Sequence, residues 1–316
     1  MITRRLLRIK ILQIVFSYFY SEGKTLEQSE KELFFSINKF YDLYHLLLRL
    51  VIDLKKYAEY RIDINASKKA PSYEDLNPNK RFVNNQVIKQ LEHNEALNRY
   101  LTAKKIGWSN EQDFIKKIYN QLIQTDFYQE YMDAEGDSYQ KDKEFVSRFY
   151  SEVLPGFEPL FQTLEEQSIY WNDEIELVIS YILKTLDSFK EDRPEGNELF
   201  PLYRKEGDRE FSKTLLRKTI LTFDDYDDLI KEHSKNWELE RIAFMDIIIM
   251  KMAITEMLEF PSIPTKVTLD EFIEIAKFYS TEKSNVFING ILDKIIEQLR
   301  NENRIQKQGR GLIGEN

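Results

Sequence analysis

The chain has 316 residues, only 10 Gly and 8 Pro, no cysteine, abundant Phe (21) and Tyr (18), and a net charge of −9. That length holds two subdomains or one large domain with a substantial core, and the shortage of turn residues points to helices. Without cysteine, disulfides, zinc–thiolate sites and thiol nucleophiles are excluded. The acidic balance argues against a generic polyanion binder. His45, His93 and His233 lie far apart in the chain and read as ordinary surface or half-buried residues, so neither catalyst, metal nor cofactor is expected.

The first 22 residues break the acidic trend, because Arg4, Arg5, Arg8 and Lys10 all precede the first acid, Glu22. A basic terminus on an acidic body suits contact with a phosphate backbone. The same stretch turns apolar, but charges interrupt it and no small-residue cleavage site follows. No apolar run approaches the roughly 20 residues of a membrane span, so a cytoplasmic protein is expected.

In chain order, Leu7, Ile11, Ile14 and Tyr18 form the apolar row of a first helix, and Gly23 ends it. Thr25 and Gln28 form a capping box for a second helix. Its row Leu33, Ile37, Phe40, Tyr44, Leu47, Val51 and Leu54 alternates spacings of four and three, as in a packed bundle. Residues 65–80 and 191–201 read as linkers. Between them, helical patterns are expected over about 81–105, 110–134, 142–153, 157–170 and 172–190. AEGDSYQKD lacks the alternating oxygen ligands of a calcium loop. Further helices are expected at 209–222 and 224–234, and a strongly apolar, central one at 237–259. Thr268 with Glu271 predicts a second capping box, and the last helix starts near Ser284. The tail QKQGRGLIGEN reads as disordered. The predicted fold class is all-α, a helical bundle. Its expected division is an N-terminal helical region, 1–200, and a C-terminal helical domain, 201–316.

Two stretches carry a specific pattern: ERIAFMDIIIMKMAITEML (240–258) and IPTKVTLDEFIEIAKFYSTEKSNVFINGILDKI (263–295). They contain Lys251, Ala253 and Glu256, then Pro264, Lys266 and Val267, then Glu271, Ala276 and Lys277, then the run Phe287 to Lys294. In this order they resemble the NusB transcription antitermination family. The N-terminus, with Arg4, Arg5, Arg8, Gln13 and Phe16, is similar to the family's Arg-rich arm, although Leu6 and Leu7 stand at usually basic positions. The resemblance fades between about 25 and 200, and this chain is more than twice the family's usual length.

The resemblance implies a non-enzymatic factor. Such proteins bind boxA, a single-stranded segment of ribosomal RNA leader transcripts, together with the small-subunit ribosomal protein NusE, within an RNA polymerase antitermination complex. No membrane is involved. Some relatives self-associate, which makes a homodimer a further option. Arg4, Arg5, Arg8 and Lys10 are expected to meet RNA phosphates, with Lys283, Ser284 and Phe287 contributing a cation, a helix N-terminus and a stacking ring. Lys283 replaces what is often an acid in the family. Phe16, a tyrosine in relatives, and Asp246 match positions that face the ribosomal protein. A protein-only adaptor with weakened RNA binding is the alternative. A fused RNA methyltransferase is disfavoured, since no Gly-rich strand–turn–helix segment for a methyl donor is present. Asn289-Gly290 interrupts a helical row at a cost of about 1 kcal/mol. The expected compensation is close packing of Gly290 near Ala253, with Asn289 reaching a connector carbonyl beside Pro264.

Overall fold

The computed structural model describes residues 1–136, 138–193, 197–234, 242–281 and 284–314, and among them helices account for the regular structure, with no strand. The helices in chain order are α1 (Arg4–Tyr20), α2 (Leu26–Ala66), α3 (Tyr73–Leu76), α4 (Arg81–Asn84), α5 (Gln86–Glu92) and α6 (Glu95–Lys104). They continue with α7 (Gln112–Leu122), α8 (Asp126–Asp133), α9 (Tyr139–Arg148), α10 (Glu158–Gln167) and α11 (Ile175–Ser188). The last five are α12 (Asp208–Leu221), α13 (Asp227–His233), α14 (Phe244–Glu259), α15 (Thr265–Tyr279) and α16 (Ser284–Asn301). The chain forms two compact units, one of Met1 and Asn38–Leu202, the other of Ile2–Ile37 and Tyr203–Asn316. The boundary at 202/203 lies close to the division expected at residue 200, but residues 2–37 group with the C-terminal unit.

In the first unit the expected α2 seam is realised: Phe40, Tyr44, Leu47, Val51 and Leu54 are all fully buried. Large aromatics bury their rings against this helix and direct their polar ends to its backbone. Trp108 Nε1 donates to the Leu46 carbonyl and Trp171 Nε1 to that of Lys39, each at 2.8 Å, and Tyr150 Oη donates to Leu47 at 2.8 Å. The long helices expected over 81–134 are cut into α4–α8. Asn85, Asn94 and Thr125 accept backbone N–H groups of Ile88, Leu97 and Tyr128 and restart the chain as N-caps. The expected linker 65–80 contains the one-turn helix α3, closed by a Ser72–Asp75 capping box.

In the second unit, Thr3 caps α1 through its side chain. The Thr25–Gln28 box opens α2: Thr25 N donates to Gln28 Oε1 at 2.8 Å and Gln28 N to Thr25 Oγ1 at 3.2 Å. As expected from its apolar perimeter, α14 is central, packing against α1, α12, α15 and α16. Its Lys251 is buried yet satisfied, with Nζ 2.6 Å from Asp227 Oδ1 and 3.6 Å from the centre of the Phe223 ring.

Three sequence expectations for this unit are corrected. The apolar helix expected from 237 begins at Phe244, with non-helical Ala243 before it; residues 235–241 lie outside the described ones. Thr268 and Glu271 do not cap α15, which starts earlier, at Thr265, after Pro264. Pro264 fixes the entry into that helix, and Thr268 is then well inside it with its hydroxyl committed elsewhere. The tail is docked rather than disordered. Gln308 N donates to the Pro261 carbonyl at 2.9 Å, and Gly311 lies so close that a Cβ would stand 1.9 Å from the same oxygen.

Candidate nucleic-acid and partner interface

Helical spacing puts Arg4, Arg5 and Arg8 on the first two turns of α1, and each meets a carboxylate delivered from a distant element. Arg4 Nε lies 3.0 Å from Oδ1 of Asp208, the first residue of α12, with its guanidinium 4.7 Å from the Phe211 ring centre. Arg5 makes a two-pronged pair with Glu271 of α15, both contacts at 2.9 Å, and stays half exposed. The Glu271 hydrogen bond raises the Arg5 pKa above its ordinary value.

Arg8 is different. It is buried, 3% exposed, and forks onto Glu256 of α14 with Nε–Oε2 and Nη2–Oε1 both 2.7 Å. Glu256 is fully buried and also accepts from Thr268 Oγ1 at 2.7 Å. This acid thereby ties α1, α14 and α15 together. Arg8 is corrected from RNA contact to internal ion pair, because a guanidinium locked to a buried acid cannot turn outward without uncovering two charges. Lys10, 3% exposed, is likewise removed from the surface set.

Arg4, Arg5 and Arg8 line a cavity of about 540 Å³ together with Pro264, Glu271 and, from the tail, Arg310. The tail residue was not anticipated: reading the segment as disordered removed it from consideration.

At the other end of α15, the expected base platform is rearranged. Asp246, 4% exposed, accepts a hydrogen bond from Ser284 Oγ at 2.8 Å and another from Ser280 Oγ. Thr281 Oγ1 stands 2.7 Å from Ser284 Oγ. These bonds pin the α15–α16 corner to the first turn of α14, where an acid is also favoured by the helix dipole. Ser284 is therefore buried and engaged by Asp246, not presented to a phosphate; Asp246 finds its partners inside the chain. Lys283 lies outside the described residues. Phe287 is half-buried.

Gly290 is exposed, and a Cβ there would meet nothing within 4 Å among the described residues, so the close approach to Ala253 is not made. Ala253 is fully buried on its own account. Asn289 Nδ2 donates to Asp293 Oδ2 at 2.8 Å, one turn along the same helix, rather than to a connector carbonyl. The Ile288, Ile291, Ile295 and Leu299 row faces the core and turns Gly290 outward.

The outward face near this corner carries an unforeseen ring: Phe278 is 81% exposed. It lies off the buried Phe272, Ile275 and Ala276 row, a displacement legible in the spacing. Phe16 is half-buried, stacked on Tyr20 with centroids 5.4 Å apart and 6.1 Å from Phe244. Along the seam of α1 and α15, Arg5 pairs with Glu271 and Gln13 Nε2 lies 3.5 Å from Tyr279 Oη. The arm and the corner are thus toward opposite ends of α15. At ~1.5 Å per residue, roughly 12 Å of helix separates Glu271 from Tyr279. They are two ends of a strip, not a single platform.

A family model described as the NusB family matches residues 180–297. The chain is 46% identical to the transcription antitermination protein NusB of Salinibacter ruber over 114 residues, 36% of this chain and 71% of that protein. It is 42% identical to the protein of the same name from Chloroherpeton thalassium over 105 residues, 33% of this chain and 50% of the relative. With that of Natranaerobius thermophilus it shares 38% identity over 90 residues, 28% and 65% of the two chains. No solved structure matches. The residues matched contain Glu256, Glu271 and Asp246, the acids that hold the arm and the corner in place, and the chain belongs to the NusB family.

Proposed function

We propose that this protein is a cytoplasmic transcription antitermination factor. It binds boxA-type single-stranded ribosomal leader RNA together with the ribosomal protein NusE and performs no bond-making chemistry. The observation that carries this reading is the arginine-lined mouth beside α1, supported by the relatives, which are named transcription antitermination proteins. Arg4 and Arg5 are the accessible cations of the arm; Arg8 holds the arm in place from below. A strand leaving this mouth along the seam of α1 and α15 passes Gln13 and Tyr279 and reaches the exposed ring of Phe278, which offers a stacking surface. The Phe16, Tyr20 and Phe244 group supplies an apolar surface for the ribosomal protein.

Fluorescence titration of boxA RNA at several salt concentrations, with and without NusE, tests the proposal. Affinity should rise with the protein partner and fall with salt. Replacing Arg4 and Arg5 with Ala should reduce the slope of log affinity against log salt by about 0.7 for each phosphate left without its cation. A protein-only adaptor is favoured instead if NusE binds and RNA does not. That second reading draws on one observation: all three arm arginines already face carboxylates.

A further inference from the structure

The arm of the second unit presents a charge problem. Arg4 faces Asp208, Arg5 faces Glu271, and Arg8 faces Glu256. Each pair is close to neutral, so these three side chains give the cavity little excess positive charge. Arg310 lines the same cavity, is exposed, and makes no ion pair among the described residues. It belongs to a tail beyond residue 297, where the family match ends.

The tail is held in place by specific contacts. Lys307 Nζ donates to the carbonyls of Met257 and Phe260 at 2.9 and 3.2 Å, at the C-terminal end of α14, where a cation complements the helix dipole. Gln308 N donates to the Pro261 carbonyl at 2.9 Å. Gly309 takes a φ of +54°, suited to glycine, and Gly311 passes under Pro261 O where no side chain fits. Arg310 is held between these two glycines at the cavity wall.

We infer that the C-terminal tail completes a phosphate-binding subsite, with Arg310 supplying the uncompensated charge and Arg4 and Arg5 the flanking donors. The inference rests on the reading of the arm as an RNA contact and adds to it a residue from outside the family match. The ligand class is a phosphodiester or polyphosphate oxyanion; a guanidinium fork matches that geometry. Binding to Arg310 need not break the three existing ion pairs.

The test uses the full chain and two probes, a short fluorescein-labelled single-stranded boxA RNA and inorganic tripolyphosphate. The variants are Arg310→Ala, Arg310→Lys and Gly311→Val, the last displacing the tail while retaining the guanidinium. Circular dichroism establishes that each is folded. Arg310→Ala and Gly311→Val should each weaken RNA binding about fivefold to tenfold, as expected for one phosphate contact. The salt slope should fall by about 0.7. Arg310→Lys should retain the slope but lose part of the affinity. Tripolyphosphate should bind wild type and bind both disruptive variants more weakly. Wild-type binding in Arg310→Ala overturns the inference while leaving the arm reading intact. Tighter binding in Gly311→Val also overturns it, since the tail would then be an obstructing strap. Tripolyphosphate bound through Arg310 with no RNA bound upholds the subsite and defeats the RNA reading. Binding of neither probe defeats both.

Discussion

Glu256 and Gly290 belong to the same family pattern, and their surroundings give them opposite weights. Glu256 is a buried acid shared by Arg8 and Thr268, so truncating it strands a guanidinium in the interior. Glu256→Ala should cost about 3–5 kcal/mol in urea unfolding. Arg5→Ala, at a half-exposed pair, should leave the urea midpoint close to wild type while weakening RNA binding. Gly290 stands on an exposed helical face, where an added Cβ would meet nothing within 4 Å among the described residues. Gly290→Ala should therefore raise stability by about 1 kcal/mol; a lower urea midpoint would show that the bare face is needed within the fold. The arginines were legible in the sequence as cations, but their neutralisation was not. Their carboxylates lie 204, 266 and 248 residues away, and no local pattern links them.

At the level of elements, α2 was legible because its apolar period holds without a break from Leu33 to Leu54. The helices between 81 and 134 were not, because Asn85, Asn94 and Thr125 reset the chain while the apolar rhythm continues across them. The same long helix carries His45, which is buried, with Nδ1 2.8 Å from the Tyr41 carbonyl and its ring stacked on Tyr100 at 3.9 Å. Burial pushes its pKa down to about 4, against the opposing effects of the Tyr41 carbonyl and Asp42. The folded protein therefore keeps the ring neutral, while the unfolded chain takes up a proton below about pH 6.5. Stability from this group is complete above that pH and declines as pH falls toward 4, by up to about 1.4 kcal/mol per pH unit. Urea unfolding of wild type and His45→Gln across pH 7 to 4 checks the sign. The wild type should lose stability faster than the variant, and parallel curves would show that the ring is not held neutral.

The molecule as a whole contains two compact units, so a single unfolding step is not expected. Trp108 and Trp171 are both buried in the unit formed by residues 38–202. With Trp237→Phe as background, tryptophan fluorescence reports on that unit alone. Adding Leu160→Asp, a charge at a fully buried position of the same unit, should lower the fluorescence midpoint markedly. The circular dichroism signal should keep a second transition near its original position. Coincident curves for both probes would mean that the two units melt as one. The family match begins at 180, so most of this unit has no counterpart in it, which is why its purpose was not legible from the resemblance.

The acid shared by Arg8 and Thr268 has a consequence for inheritance. A descendant that had given up every ribonucleotide would still need Glu256, Thr268 and a guanidinium at position 8 simply to keep three helices joined. Those letters record ancestry of architecture. On the proposed reading, ancestry of task would be written instead on the outer positions Arg4, Arg5, Phe278 and Arg310.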